Sequence, residues 1–131
     1  MRPAVLFVSP HSDDANRLSR MLRLLPLTFD HVADLQQARA KLGQRRYPVI
    51  LTEAGLPDGS WLDVLSLARE VMPGAEVIVT DRHADNRFWA EALNLGAYDL
   101  LAQPFHELEV RRILSNACSR RAPGQKAGAA L

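Results

Sequence analysis

Short apolar runs alternate with amphipathic stretches from one end of the chain to the other, and this alternation restricts the fold to the α/β class. Ala4–Val8, Val49–Leu51 and Val77–Val79 are almost uninterrupted apolar segments, the pattern of parallel strands covered by helices on both faces. Leu27–Val32 is more mixed and Tyr98–Leu101 is short, so both are predicted as edge strands.

Between the strands, apolar residues recur at helical spacing. The first helix carries Ala15, Leu18, Leu22 and Leu25 on one face, with Ser12 or Asp13 as its N-cap and Pro26 as its stop. The second begins at Asp34, carries Leu35, Ala38 and Leu42, and meets Gly43, a residue suited to a left-handed C-terminal cap. The third starts at Ser60, places Trp61, Val64, Leu65, Ala68 and Val71 on its inward spacing, and ends at the Pro73-Gly74 turn. The fourth runs from Asp85 through Phe88, Trp89, Ala92 and Leu93 to Gly96. The fifth runs from Glu107 through Val110, Ile113, Leu114, Ala117 and Cys118. The result is (βα) five times over, and right-handed crossovers place helices on both faces of one sheet. In such sheets ligand chemistry gathers at the carboxyl ends of the central strands. That rule selects Ser9 and Pro10 after the first strand, Glu53 after the third, Asp81 after the fourth and Gln103 after the fifth.

Composition narrows the function further. Sixteen basic and fifteen acidic side chains leave a formal charge of +1, which gives no general electrostatic reason to bind nucleic acid or a membrane surface. The 131 residues suit one domain, placed at 1–122, with 123–131 as a small, polar tail or the start of a linker. No run approaches the ~20 apolar residues of a membrane span, and the apolar run at Ala4–Val8 is too short for a secretory leader. Cys118 is the single cysteine and cannot close an internal disulfide. A cytoplasmic location is therefore expected. Nucleophile elbow, phosphate-cradling glycine loop and zinc pattern are all missing from the sequence, so catalysis is not expected.

Two segments carry a family resemblance. Pro48–Gly59, PVILTEAGLPDG, resembles the third strand and following loop of bacterial receiver domains, and Leu95–Phe105, LGAYDLLAQPF, resembles that family's GAxDYLxKPF stretch. The resemblance extends over residues 4–120 and implies a CheY-like response-regulator receiver of phosphorelay signalling. It also implies a doubly wound, flavodoxin-like sandwich whose five parallel strands lie in the order 2-1-3-4-5.

The departures from that family's pattern all fall in one pocket. Receivers hold Mg²⁺ with a pair of acids after the first strand, where this chain has Ser9-Pro10. Neither residue brings the carboxylate oxygens that a hard cation prefers, so no metal is expected. The phospho-accepting aspartate falls on Glu53, one methylene longer, and in-line transfer depends on tight positioning. The family's Ser/Thr after the fourth strand falls, without a gap, on Asp81, and a slide of one residue puts Thr80 there instead. An acid at that place would repel a phosphoryl group. The lysine falls on Gln103, which brings no charge, and the aromatic switch position falls on Leu100.

These departures imply a pseudo-receiver that works through protein contacts. Its partner, or a second copy, is expected on the face of the fourth helix, fifth strand and fifth helix, with Trp89 and Leu100. Alternatives are residual Mg²⁺ and phosphoryl chemistry at Glu53 with Asp81, or the regulatory front end of a longer transcription factor. Glu53 itself reads as a partial mimic of the phosphorylated state or as a relic carboxylate satisfied by its neighbours. If Glu53 and Asp81 lie close, Arg82 or His11 is expected to neutralise them.

The other polar residues have plainer readings. Asp13 and Asp14 stand at a helix start, where they cap free N–H groups instead of binding metal. His11, His31, His83 and His106 lack ligand spacing and read as surface or loop residues. Phe88 and Trp89 are neighbours, so one of them is expected to be exposed. Cys118 reads as a small buried hydrophobe. Arg111, Arg112, Arg120 and Arg121 suit the negative end of the fifth helix.

Overall fold

A computed structural model describes residues 2–83 and 85–119, and Arg120, Arg121 and the predicted tail from Pro123 lie outside the described residues. The main strands are β1 (Ala4–Val8), β2 (Thr28–Val32), β3 (Val49–Glu53), β4 (Glu76–Asp81) and β5 (Asp99–Ala102). They alternate with α1 (Ser12–Met21), α2 (Leu35–Leu42), α3 (Trp61–Val71), α4 (Asn86–Leu95) and α5 (Glu107–Ser119). Every neighbouring pair is parallel, and the strands of this sheet lie in the order β2-β1-β3-β4-β5. The two segments predicted as edges are the edges.

Successive side chains of a strand point to opposite faces, and each face of this sheet has its own core. On one face Leu6, Val8, Ile50, Val77 and Val79 pack with Ala38, Trp61, Val64, Ala68 and Ala92 of α2, α3 and α4. On the other, Val5, Phe7, Val49, Leu51 and Ile78 pack with Leu18, Val110, Ile113 and Leu114 of α1 and α5. A strand covered on both sides must be apolar at every step, which is why β1, β3 and β4 are such plain runs. Burying one such side chain contributes ~1.5–3 kcal/mol. Among the described residues no helix is long and apolar enough to cross a membrane.

Local chemistry corrects several helix boundaries. His11, and neither Ser12 nor Asp13, is the N-cap of α1, and it caps without a side-chain bond. The helix ends at Met21, ahead of Pro26; Leu22 and Leu25 still reach the core from the following turns, which is what made the helical spacing look longer. Gly43 has φ −80°, so it ends α2 in the right-handed region. Gly96 carries the positive φ, 122°, at the end of α4. A Cβ there would collide with the guanidinium of Arg69, which donates to the Leu95 carbonyl at 3.3 Å. Val71 and Leu93 are exposed instead of joining the core.

One element escaped the periodicity. Gly55–Leu56 and Gly59–Ser60 pair antiparallel just after β3, with Pro57-Asp58 at the tip. The Asp58 carboxylate accepts from the N–H groups of Leu35 at 2.9 Å and Gln36 at 3.1 Å. Asp34 caps the same helix start by accepting from Gln37 N at 2.8 Å. Both acids thus serve the free N–H groups that open α2, and the backbone donors of Leu35 and then Gln36 hold the Asp58 carboxyl below its ordinary value.

Candidate functional site

Strand register brings the carboxyl ends of the central strands together: Val8 lies beside Thr52, Glu53 beside Thr80, and Asp81 beside Ala102. Glu53 is the centre of what results. It is 6% exposed, and its Oε2 accepts from Ser9 Oγ at 3.2 Å and from Gln103 Nε2 at 3.4 Å. Gln103 Nε2 also donates to Thr80 Oγ1 at 3.1 Å, and that hydroxyl donates to the Leu101 carbonyl at 2.7 Å. Ser9 Oγ accepts from His11 N at 3.0 Å, while the Ser9 carbonyl accepts from His31 Nε2 at 2.8 Å. Ser9, Glu53, Thr80 and Gln103 therefore form one connected polar network in which each group has a partner.

Three expectations about this pocket change. The hydroxyl that meets Gln103 belongs to Thr80, one residue before Asp81. Strand register sets Thr80 beside Glu53. Asp81 is half-buried, and its Oδ1 accepts from His83 N at 3.2 Å. The acid that acts on Glu53 is accordingly Asp14, not Asp81. Burial raises the Glu53 pKa first of all; the Ser9 bond opposes this, the Asp14 charge adds to it, and Gln103 and His11 oppose it. Arg82 does not bridge Glu53 and Asp81. Its Nη2 donates to Asp14 Oδ2 at 2.7 Å.

Asp14, expected to cap free N–H groups at the helix start, is instead 3% exposed and turned inward. A signal existed: Asp14 stands four residues before Leu18, on the inward face of α1. Its partner lies 68 residues away, where no local pattern reaches. A cleft of about 420 Å³ opens beside this ion pair, walled by Asp13, Asp14, Arg17, Arg82, Gln103 and Pro104. Pro10 is exposed and does not line this cleft.

Residues expected outside the pocket also move. His31 is a half-buried strand residue whose ring lies 5.8 Å from that of Phe7. Arg111 serves α1 instead of the end of α5, donating from Nε to the Met21 carbonyl at 3.1 Å. Cys118 is half-buried against the α1/α5 core, and burial pushes its thiol up to about 11. On the α4–β5–α5 face, Leu100 is core, and Phe88 and Trp89 are both half-buried. The reason is shallow seating: Ala92 is the one fully buried residue of α4, and the two aromatics flank it, each laying part of its ring on the core. The apolar side chains exposed on these helices are Leu93, Leu95 and Leu108, at 48%, 45% and 80%.

A doubly wound parallel sheet with a polar network at the carboxyl ends of β1, β3, β4 and β5 defines a domain of receiver type. The family described as response regulator receiver domain matches residues 5–115, and the chain belongs to it. Response regulator protein PilR of Pseudomonas aeruginosa is 26% identical over 122 residues, which are 93% of this chain and 27% of PilR. Regulatory protein LuxO of Vibrio cholerae is 30% identical over 96 residues, 72% of this chain and 21% of LuxO. The chain thus spans about a quarter of the length of these relatives. Among solved structures, the signal receiver domain of an HD domain-containing protein from Pseudomonas fluorescens Pf-5 superposes with TM-score 0.81 at 27% identity, covering 91% of this chain and 88% of that one. The beryllofluoride-activated NtrC4 receiver domain dimer gives 0.83 at 25% identity, covering 91% and 98%.

The family implies Mg²⁺, and with Arg82 seated on Asp14 the donors in this pocket do not fit it. A hard cation takes six or so oxygens. Here the Ser9 hydroxyl already donates to Glu53, Pro10 has no side-chain donor atom, and one Asp14 oxygen is bonded to a guanidinium. Among the described residues no group of three His, Cys, Asp or Glu side chains is placed to hold a metal ion.

Proposed function

We propose that this receiver acts in two-component signalling without phosphoryl transfer, as a pseudo-receiver that works by protein contact in the cytoplasm. The observation that carries the reading is Glu53 at the acceptor place, with Oε2 held by Ser9 and Gln103. A phosphoryl group on Glu53 would place ~1.5–2 negative charges beside the buried Asp14 carboxylate, with neutral Gln103 where the family has a lysine. This reading gives the pocket no catalytic role.

The contact surface is the α4–β5–α5 face, with Trp89 half-buried on α4; α4 exposes Leu93 and Leu95 on different sides of the helix, and α5 exposes Leu108, to a partner or a second copy of the chain. The similarity to a receiver that forms a dimer in its beryllofluoride-activated state favours a second copy as one occupant. Direct contact with nucleic acid is not part of the reading. A second reading, compatible with the first, makes this the regulatory front end of a longer regulator; the small share of PilR and LuxO that the chain spans favours it.

The test is a Mg²⁺ titration with and without beryllofluoride, following the fluorescence of Trp61 and Trp89 together with the mass of the assembly. The expected result is no response at millimolar metal. Saturable binding with a change in assembly would overturn the proposal and return phosphoryl chemistry to Glu53.

A further inference from the structure

The pocket buries two carboxylates, Glu53 and Asp14, at 6% and 3% exposure, and the lysine of its family is replaced by neutral Gln103. Buried carboxylates require a cation or a proton. Arg17 also lines the cleft, and Arg82 is the cation in direct contact with one of these carboxylates. It directly follows the last residue of β4, and its Nη2 reaches Asp14 Oδ2 in the first turn of α1 at 2.7 Å. The Asp14 side chain is 5% exposed and that of Arg82 is 49% exposed, so the guanidinium closes the pair from the solvent side. Its charge also attracts Glu53. A guanidinium stays protonated at any physiological pH, so this charge is permanent.

We propose that Arg82 is a tethered cation that takes over the charge role of the family's divalent ion and fastens the end of β4 to α1. The inference rests on the contact-module reading and gives its regulation: a charge attached to the chain cannot dissociate, so the state of the pocket does not follow the metal supply.

Thermal unfolding of the full chain, with and without Mg²⁺ or Mn²⁺ at millimolar concentration, tests this on four proteins: the natural chain, Arg82→Lys, Arg82→Ala and the double variant Arg82→Ala/Asp14→Asn. Arg82→Ala is expected to lower Tm in the absence of metal and to recover it saturably with either cation, because Asp14 and Glu53 are left uncompensated. The natural chain and Arg82→Lys should not respond, and the double variant should lose the recovery. If Arg82→Ala does not fold alone, refolding on addition of Mn²⁺ is the same positive result, and failure to refold counts against the proposal. An Arg82→Ala protein that folds and ignores both metals overturns the tethered cation and leaves the contact-module reading standing. Saturable Mg²⁺ binding by the natural chain overturns both.

Discussion

Ile50 and Ile78 in the body of the sheet are as thoroughly buried as Ser9 and Thr80 at its carboxyl end, yet burial has opposite consequences in the two places. In the body, removal from water is itself the stabilising event. At the carboxyl end, each polar group loses water and must find a partner, and the Ser9–Glu53–Gln103–Thr80 network provides little more than replacement for the bonds given up. The body is therefore where stability is made. The end keeps a polar arrangement that packing alone would not select.

The largest expected effect lies in the body. Ile50→Ala or Leu114→Ala removes a fully buried side chain and should cost ~2–5 kcal/mol in chemical denaturation; a loss below ~1 kcal/mol would break the contrast between body and end. Next comes Thr80→Val, which deletes the hydroxyl between Leu101 and Gln103 and should cost ~1–3 kcal/mol by stranding buried partners. A neutral outcome there would mean that the network does not hold the end of the sheet together.

Glu53→Gln sharpens the contrast through pH. The folded-state pKa of Glu53 is raised, chiefly by burial, so between the ordinary carboxylate value and the raised one the native state binds more protons than the unfolded chain. Its ionisation therefore lowers stability as pH climbs through that window, and the penalty is absent below it. Melting curves from about pH 4 to about pH 8 should show a decline that flattens in Glu53→Gln. An identical slope in both proteins would show that Glu53 is not desolvated. The smallest effect is expected at Leu93→Ala, within ~0.5 kcal/mol in the isolated chain, because the side chain is half in solvent. Its readout is assembly: loss of self-association, or of partner binding, with stability intact.

The same contrast explains what could be read from the residues alone. β1, β3 and β4 were legible because burial on two faces leaves no polar position to confuse the pattern. Ser9, Glu53 and Gln103 were legible because they directly follow or end apolar runs. The bond of Gln103 to Thr80 was not legible because sequence counting carries no information on register, which the pairing of Glu53 with Thr80 supplies. The Asp14–Arg82 pair joins α1 to the end of β4, and both residues look like ordinary surface charges in isolation. Phe88 and Trp89 were misjudged because the depth at which α4 sits is a property of the assembled core.

The Asp58 bonds to Leu35 and Gln36 make the turn after Glu53 and the opening of α2 a single mechanical unit. A displacement beside Glu53 must either drag α2 along or release two amide hydrogens to solvent. Deuterium uptake at Leu35 and Gln36 is thus a remote reporter of the pocket, readable on a helix that contributes no side chain to it.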